Sequence, residues 1–205
     1  MPASPSGGWP DARPGNTPLA LVREWYEAAV AAGLDEPNSM ALATASPEGV
    51  PSVRIVLLKG IDDRGLRFFT NYESRKGREL DANPRAATVL YWQPLHRQVR
   101  LEGPVERLTA EESDAYFATR DRGSRLGAWA SRQGTVIPGR DRLEEALAAA
   151  SERFPADVPR PEYWGGYRLD PVAIEFWEGR PNRLHEREHF LRQADGSWRV
   201  EHLSP

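Results

Sequence analysis

MALATASPEGVPSVRIVLLKG, residues 40–60, decides the architecture. Small and branched apolar residues flank Ser46-Pro47-Glu48-Gly49, a turn-forming quartet, so the stretch reads as two strands folded back on each other. GLRFFTN (65–71) follows as a third strand, with DDRG (62–65) as the turn before it. AATVLYW (86–92) and RQVRLEGPVERL (97–108) read as a further strand pair, and the segment from Tyr167 to Leu203 reads as more strands, broken at EGRPN and ADG.

Helices punctuate this pattern. LALVREWYEAAVAAGL (19–34) carries apolar Leu19, Val22, Tyr26 and Val30 at helical spacing, and Gly33 ends it. A short helix is expected over 74–82, closed by Asn83-Pro84. Thr109 with Glu112 and Asp141 with Glu144 each have the spacing of a capping box and open two more helices. Antiparallel strands with a few short helices exclude an alternating nucleotide-binding α/β sheet, and neither G-x-G-x-x-G nor a P-loop occurs. The expected class is mainly β with peripheral helices, a barrel or sandwich. Residues 1–18, rich in Pro, Gly, Ser and Asn, read as a flexible arm, and 19–205 as one domain.

Composition narrows function. The 205 residues are 40% hydrophobic and 28% charged, with 27 Lys and Arg, 30 Asp and Glu, and a formal net charge of −3, which disfavours general nucleic-acid binding. Cysteine is absent, removing disulfides and thiolate metal sites, and the four histidines form no metal-binding pattern, so no metal is expected. No run approaches ~18 apolar residues. The start lacks basic and apolar leader regions, and a cytoplasmic protein with no membrane partner is the expectation.

The basic residues cluster at element ends. In RPNRLHEREHF (180–190), read as a strand, Arg183, His185 and Arg187 share one face and Leu184 and Glu186 the other. They form either a solvated edge or a grip for an anion, with Trp177 as an apolar surface nearby. RIVLLKG (54–60) reads as a buried strand closed by Arg54 and Lys59. Their odd spacing sends them to opposite faces unless the strand bends or ends near Lys59. In FFTNYESRKG (68–77), Ser74, Arg75 and Lys76 fall where a helix begins; cations there oppose the helix dipole, and a bound phosphate would account for them. Tyr116 and Arg120, four apart, are expected on one helical face with Ser124 just beyond, able to hold a second phosphate. Gln98 either satisfies the sheet surface or reaches the polar edge of a heterocycle.

RIVLLK, FFTNYESRKG, RQVRLEG, RLGAWASRQG and EFWEGRPNRLHER, in this order, make the chain from about residue 40 to its end resemble the pyridoxamine/pyridoxine 5′-phosphate oxidase family. The resemblance implies an FMN-binding split β-barrel that works as a homodimer with FMN between subunits. It implies that Arg54, Ile55, Val56, Leu57, Leu58 and Lys59, together with Phe69 and Thr70, receive FMN, that Arg75 and Lys76 face its phosphate, and that Gln98, Gln133, Gly134, Trp177 and Arg187 complete its site. The substrate phosphate would meet Lys59, Tyr116, Arg120 and Ser124, while Arg183, Leu184 and His185 stand at the reacting end, with Arg183 and His185 as the catalytic pair. The implied reaction is oxidation of pyridoxamine 5′-phosphate or pyridoxine 5′-phosphate by O2 to pyridoxal 5′-phosphate, with hydrogen peroxide released and ammonia leaving from the amine. Phe69 stands where tyrosine is frequent in the family, Gly134 where serine is expected and Glu186 where aspartate is usual. A phenazine-pathway oxidase on the same barrel and a non-enzymatic flavin or pyridoxal-phosphate carrier are the rival functions.

Overall fold

The computed structural model describes residues 17–205; the expected arm falls, up to residue 16, outside the described residues. Thr17 caps the first helix, α1 (Pro18–Ala31), so Pro18 belongs to the folded part, at a position that needs no donor N–H. The strands are β1 (Ser39–Ala45), β2 (Pro51–Leu57), β3 (Gly60–Asp62), β4 (Gly65–Asn71), β5 (Arg85–Trp92), β6 (Arg97–Arg107), β7 (Trp164–Leu169), β8 (Ala173–Glu178), β9 (Glu186–Arg192) and β10 (Trp198–His202). The other helices are α2 (Arg75–Ala82), α3 (Ala110–Ala118), α4 (Arg122–Ala130) and α5 (Asp141–Arg153).

All strand pairings are antiparallel, and the main path runs β10-β9-β8-β6-β5-β1-β2. The long β6 closes the curl: Arg97–Glu102 pairs with β8, and Val105–Arg107 pairs with β7, which in turn pairs with β4. The result is a half-barrel with peripheral helices, the split β-barrel that the resemblance implies. Alternation fills it: Met40 and Leu42 of β1, Leu90 of β5, Val99 and Leu101 of β6, and Ile174 and Phe176 of β8 point inward and are buried. Trp25 of α1 plugs the barrel against Phe176 at 5.1 Å, edge to face; burying such a side chain is worth about 2–3 kcal/mol. Every residue of β7 is buried, including Arg168 at 1% exposure, which is held by Asp62 at 2.6 Å and Glu112 at 3.2 Å. Such a cation is tolerable only because carboxylates from β3 and α3 neutralise it.

Several expectations are corrected. β2 is an edge strand, not a buried one: its side chains alternate, leaving Val53 69% and Ile55 65% exposed. Periodicity cannot tell a strand covered by its own chain from one whose outer apolar face is left open. In α1 the inward face is Leu19, Val22, Trp25 and Ala29, while Val30 is exposed. The Thr109–Glu112 capping box forms, with both reciprocal bonds present. The Asp141–Glu144 box does not: Asp141 is already the first helical residue, so its carboxylate helps the helix dipole and caps nothing. α3 stops at Ala118, so Arg120 leaves its end and does not share a helical face with Tyr116. A short β3, absent from the sequence reading, pairs with β4 through a two-residue turn.

The strand expected through Arg183 and His185 is also corrected. Residues Pro181–Arg183 form a 3₁₀ turn in which Asn182 and Arg183 have φ of 58° and 61°, and β9 begins only at Glu186. Pro181 removes a ladder donor there, and the left-handed residues turn the chain, so strand parity does not reach back from Arg187 to Arg183.

Candidate functional site

A cavity of about 1060 Å³ opens between β2, β4, the start of α2, the end of α3, α4 and the loop after it. Arg54, Ile55, Val56, Leu57, Lys59, Phe69, Thr70, Arg75, Lys76, Tyr116, Arg120, Ser124, Gln133 and Gly134 all line it. Leu58 does not; it is buried in the barrel core. Arg54 and Lys59 reach the same cavity because β2 ends at Leu57, so strand parity stops before Lys59.

The helix begins where the sequence implies. Ser74 caps α2, accepting from Gly77 N–H, and its hydroxyl donates to Asn71 O at 2.7 Å. Gly77 is required: a Cβ there would lie 2.0 Å from the Tyr72 carbonyl oxygen, so the first turn of α2 could not pack against the end of β4. This packing buries Lys76 to 7% exposure. Its Nζ donates to Thr70 Oγ1 at 3.0 Å, Ser74 Oγ at 3.1 Å and Gln133 Oε1 at 3.1 Å, all neutral acceptors. Burial, reinforced by the nearby Arg54 charge, pulls its pKa down to about 8.

The neighbouring cations are treated differently. Glu79, one turn along α2, is buried and accepts from Thr44 and Ser52, each at 2.5 Å, from Arg75 Nε at 2.8 Å and from Arg54 at 3.4 Å. Burial alone would raise its pKa, but the hydrogen bonds from Ser52, Thr44 and Arg75 outweigh that and hold it at about 2. Arg54 also donates to Thr44 Oγ1 at 2.6 Å and to Leu42 O at 3.0 Å, which fixes its plane. Thus Glu79 locks two guanidinium groups in place, and Lys76 stays a buried cation bonded only to neutral groups. This chemistry suits a phosphate dianion.

Glu79 was not singled out in the sequence; its i,i+4 relation to Arg75 was the available signal. Ser52 carried a comparable one, two residues before Arg54 on the same strand face.

On the α3–α4 side, Asp121 caps α4 by accepting from Ser124 N–H at 2.8 Å, which sets Ser124 at the cavity wall. The Nη1 of Arg120 is buried without a hydrogen-bond partner among the described residues, and burial lowers its pKa.

The remaining predicted residues gather elsewhere. Gln98, Trp177 and Arg187 are direct cross-strand partners on β6, β8 and β9, and Trp177 meets His185 at 4.6 Å. None of Gln98, Trp177, Arg183, Leu184, His185 or Arg187 lines the cavity of its own chain. His185 Nδ1 accepts from Arg180 N–H at 3.2 Å, which leaves Nε2 as the protonated nitrogen of the neutral ring. Glu186 turns to Arg180 at 2.8 Å, and Arg187 is bound to Glu175.

Fold and cavity together define a split β-barrel with a cation-lined cavity at its side. Residues 26–153 match the family model "Pyridoxamine 5′-phosphate oxidase", and 164–205 match "Pyridoxine 5′-phosphate oxidase C-terminal dimerisation region". The chain is 57% identical to the pyridoxine/pyridoxamine 5′-phosphate oxidase of Cupriavidus necator over 92% of its length and 89% of the relative's. It is also 57% identical to the enzyme of that name from Burkholderia lata, with the same coverage. Among solved structures it resembles PhzG from Burkholderia lata 383, in complex with tetrahydrophenazine-1-carboxylic acid, with a TM-score of 0.91 and 33% identity over 98% of each chain. A pyridoxamine 5′-phosphate oxidase-related, FMN-binding protein from Nostoc punctiforme shares the fold, with a TM-score of 0.75 and 20% identity over 93% of this chain and 99% of that one. The chain belongs to the pyridoxamine 5′-phosphate oxidase family.

Among the described residues, no helix is long and apolar enough to cross a membrane.

Proposed function

We propose that this protein oxidises pyridoxamine 5′-phosphate and pyridoxine 5′-phosphate to pyridoxal 5′-phosphate with FMN and O2. The carrying observation is one cavity lined by two clusters of cationic and hydroxyl groups, Arg54, Arg75 and Lys76 in one and Lys59, Tyr116, Arg120 and Ser124 in the other, each suited to a phosphate. The residues fit FMN: a buried lysine bonded only to neutral acceptors and two guanidinium groups locked by Glu79 suit its phosphate, with Thr70 and Gln133 as further polar partners. FMN, when bound, supplies two-electron acceptance from C4′ of the substrate and return of those electrons to O2 as hydrogen peroxide, the amine substrate also yielding ammonia by hydrolysis.

The protein's own part is to bind and orient. Lys59, Tyr116, Arg120 and Ser124 convert phosphate binding into alignment of the pyridine ring. Arg183 and His185 act at the reacting end. With Nδ1 engaged by Arg180 N–H, His185 has its Nε2 edge left to orient the substrate by hydrogen bonding. Because the group around Trp177, Arg183, His185 and Arg187 lies outside the cavity of its own chain, the complete site takes that group from the partner of a homodimer. The match of 164–205 to a dimerisation region and the open apolar edge of β2 support this arrangement. A cytoplasmic location belongs to the same proposal, supported by the charged, cysteine-free composition.

Anaerobic mixing of the FMN-loaded protein with pyridoxamine 5′-phosphate tests the proposal. The oxidised-flavin bands should bleach and return on admission of air, with peroxide formed; a bound flavin that does not bleach would leave only the carrier. The likeness to PhzG favours a phenazine oxidase as the second reading, and faster bleaching by a reduced phenazine carboxylate than by either B6 phosphate would select it.

A further inference from the structure

Trp164 opens β7 at the cavity wall and is 8% exposed. Its ring lies nearly parallel to that of Phe69, at 5.6 Å and 14°, and to that of Tyr116, at 6.2 Å and 6°. Phe69 and Tyr116 stack directly on each other at 3.8 Å and 18°. The packet has a backbone requirement. Gly166 faces Phe69 across the β4–β7 pairing, and a Cβ there would stand 2.7 Å from Phe69 Cε1 and 2.4 Å from Leu108 Cδ1. The missing side chain lets Phe69 lean over the strand and lie flat against Tyr116.

The same indole carries a cation. The Arg120 guanidinium carbon sits 4.7 Å from the Trp164 ring centroid and 5.5 Å from that of Phe117. An arginine gripped by a carboxylate commits its N–H groups, whereas one held against aromatic faces keeps its N–H edge free. Arg120 is of the second kind, with Nη1 buried and unpartnered among the described residues.

We propose that Trp164 is a positioning residue for the substrate phosphate, holding Arg120 by its indole face and, with Phe69, fixing the ring plane of Tyr116. The inference rests on the phosphate grip described under the proposed function and adds how that grip is preorganised.

The test measures equilibrium binding of pyridoxal 5′-phosphate to the FMN-loaded protein, alongside KM and kcat for pyridoxine 5′-phosphate and for unphosphorylated pyridoxine. Trp164→Leu should weaken pyridoxal 5′-phosphate binding and raise KM for the phosphorylated substrate about tenfold, with FMN content kept and kcat changed less than about twofold. Trp164→Phe, which keeps a flat face, should recover most of the loss, and pyridoxine turnover should be unaffected. Should Trp164→Leu not fold, Trp164→Phe alone still decides, because a smaller aromatic face should raise KM about threefold for the phosphorylated substrate only. Unchanged binding, or equal effects on phosphorylated and unphosphorylated substrates, would overturn the role of Trp164. Arg120→Ala separates the two levels. If it too leaves binding unchanged, the phosphate grip itself is misplaced; if it weakens binding while Trp164→Leu does not, only the positioning role fails.

Discussion

Glu175 grips Arg187 with both carboxylate oxygens, Oε1 to Nε at 2.9 Å and Oε2 to Nη2 at 3.1 Å, and also accepts from Arg100 at 2.6 Å. Arg100, Glu175 and His189 form one row across β6, β8 and β9, with Glu175 3% exposed beneath its partners. Glu175→Ala would leave two guanidinium groups on the sheet without their shared counter-charge. The expected loss of stability is about 2 kcal/mol, below that of a fully buried pair because Arg100 is partly solvated. Urea unfolding measures it, and a loss under about 0.5 kcal/mol would show that solvent already neutralises the row.

Lys76 and Arg183 should fail in different ways. Lys76→Ala removes the buried cation at the helix start and should weaken FMN binding at least about tenfold. Arg183→Ala should retain FMN and lose turnover. Flavin fluorescence on titration, set beside steady-state rates, reads both, and equal loss of FMN in the two proteins would contradict this division.

FMN affinity should depend on pH through Lys76. Its pKa of about 8 in the free protein means that above this pH a phosphate dianion must bind with uptake of a proton. Affinity should therefore fall as pH rises through about 8, by up to about tenfold per unit. It should fall again below about 6, where the phosphate itself protonates. Lys76→Met should bind weakly and lose the alkaline limb; a limb retained in that variant would assign it to another group. Without FMN the alkaline sign reverses. The unfolded chain holds the proton up to about 10.5, so stability of the free protein should rise between about pH 8 and 10.5.

Acid should act through Glu79. Its folded pKa of about 2 lies below the ordinary 4.5, so its stabilisation is complete above about 4.5 and is lost as pH falls toward 2. Glu79→Gln should flatten that part of the stability curve and loosen Arg54 and Arg75 at neutral pH. An acid limb unchanged in the variant would show that other carboxylates set it.

Most of the strands, their order along the chain and three of the helix starts were legible because period-two alternation, turn residues and caps are local signals, whereas the three-residue β3 is too short to show a period. β4 begins and ends where GLRFFTN does, and Thr109 caps α3 through the expected box. The cationic half of the cavity was legible for a similar reason, since Arg75 and Lys76 at a helix N-terminus conflict with the dipole unless an anion is present. What escaped was non-local. Whether β2 is covered depends on what packs against it; for Lys59 the sequence left two alternatives open, and the strand end at Leu57 selects the one in which it joins Arg54 at the cavity. The 3₁₀ turn at Asn182 and Arg183 defeats parity because two positive φ values are invisible to a pattern of polar and apolar residues. Trp164 was not singled out in the sequence, since its contacts with Tyr116 and Arg120 join segments more than forty residues apart.

The separation of the cavity from the Arg183 and His185 cluster within one chain has a genetic consequence. If each catalytic centre draws one half from either subunit, Lys76→Ala and Arg183→Ala are lesions in complementary halves. Mixing the two inactive proteins under subunit exchange would then produce hybrids in which one centre carries both defects and the other carries neither. Activity would reappear from two dead parents, up to half of the wild-type value per hybrid, whereas centres confined to single chains would give no recovery at any mixing ratio.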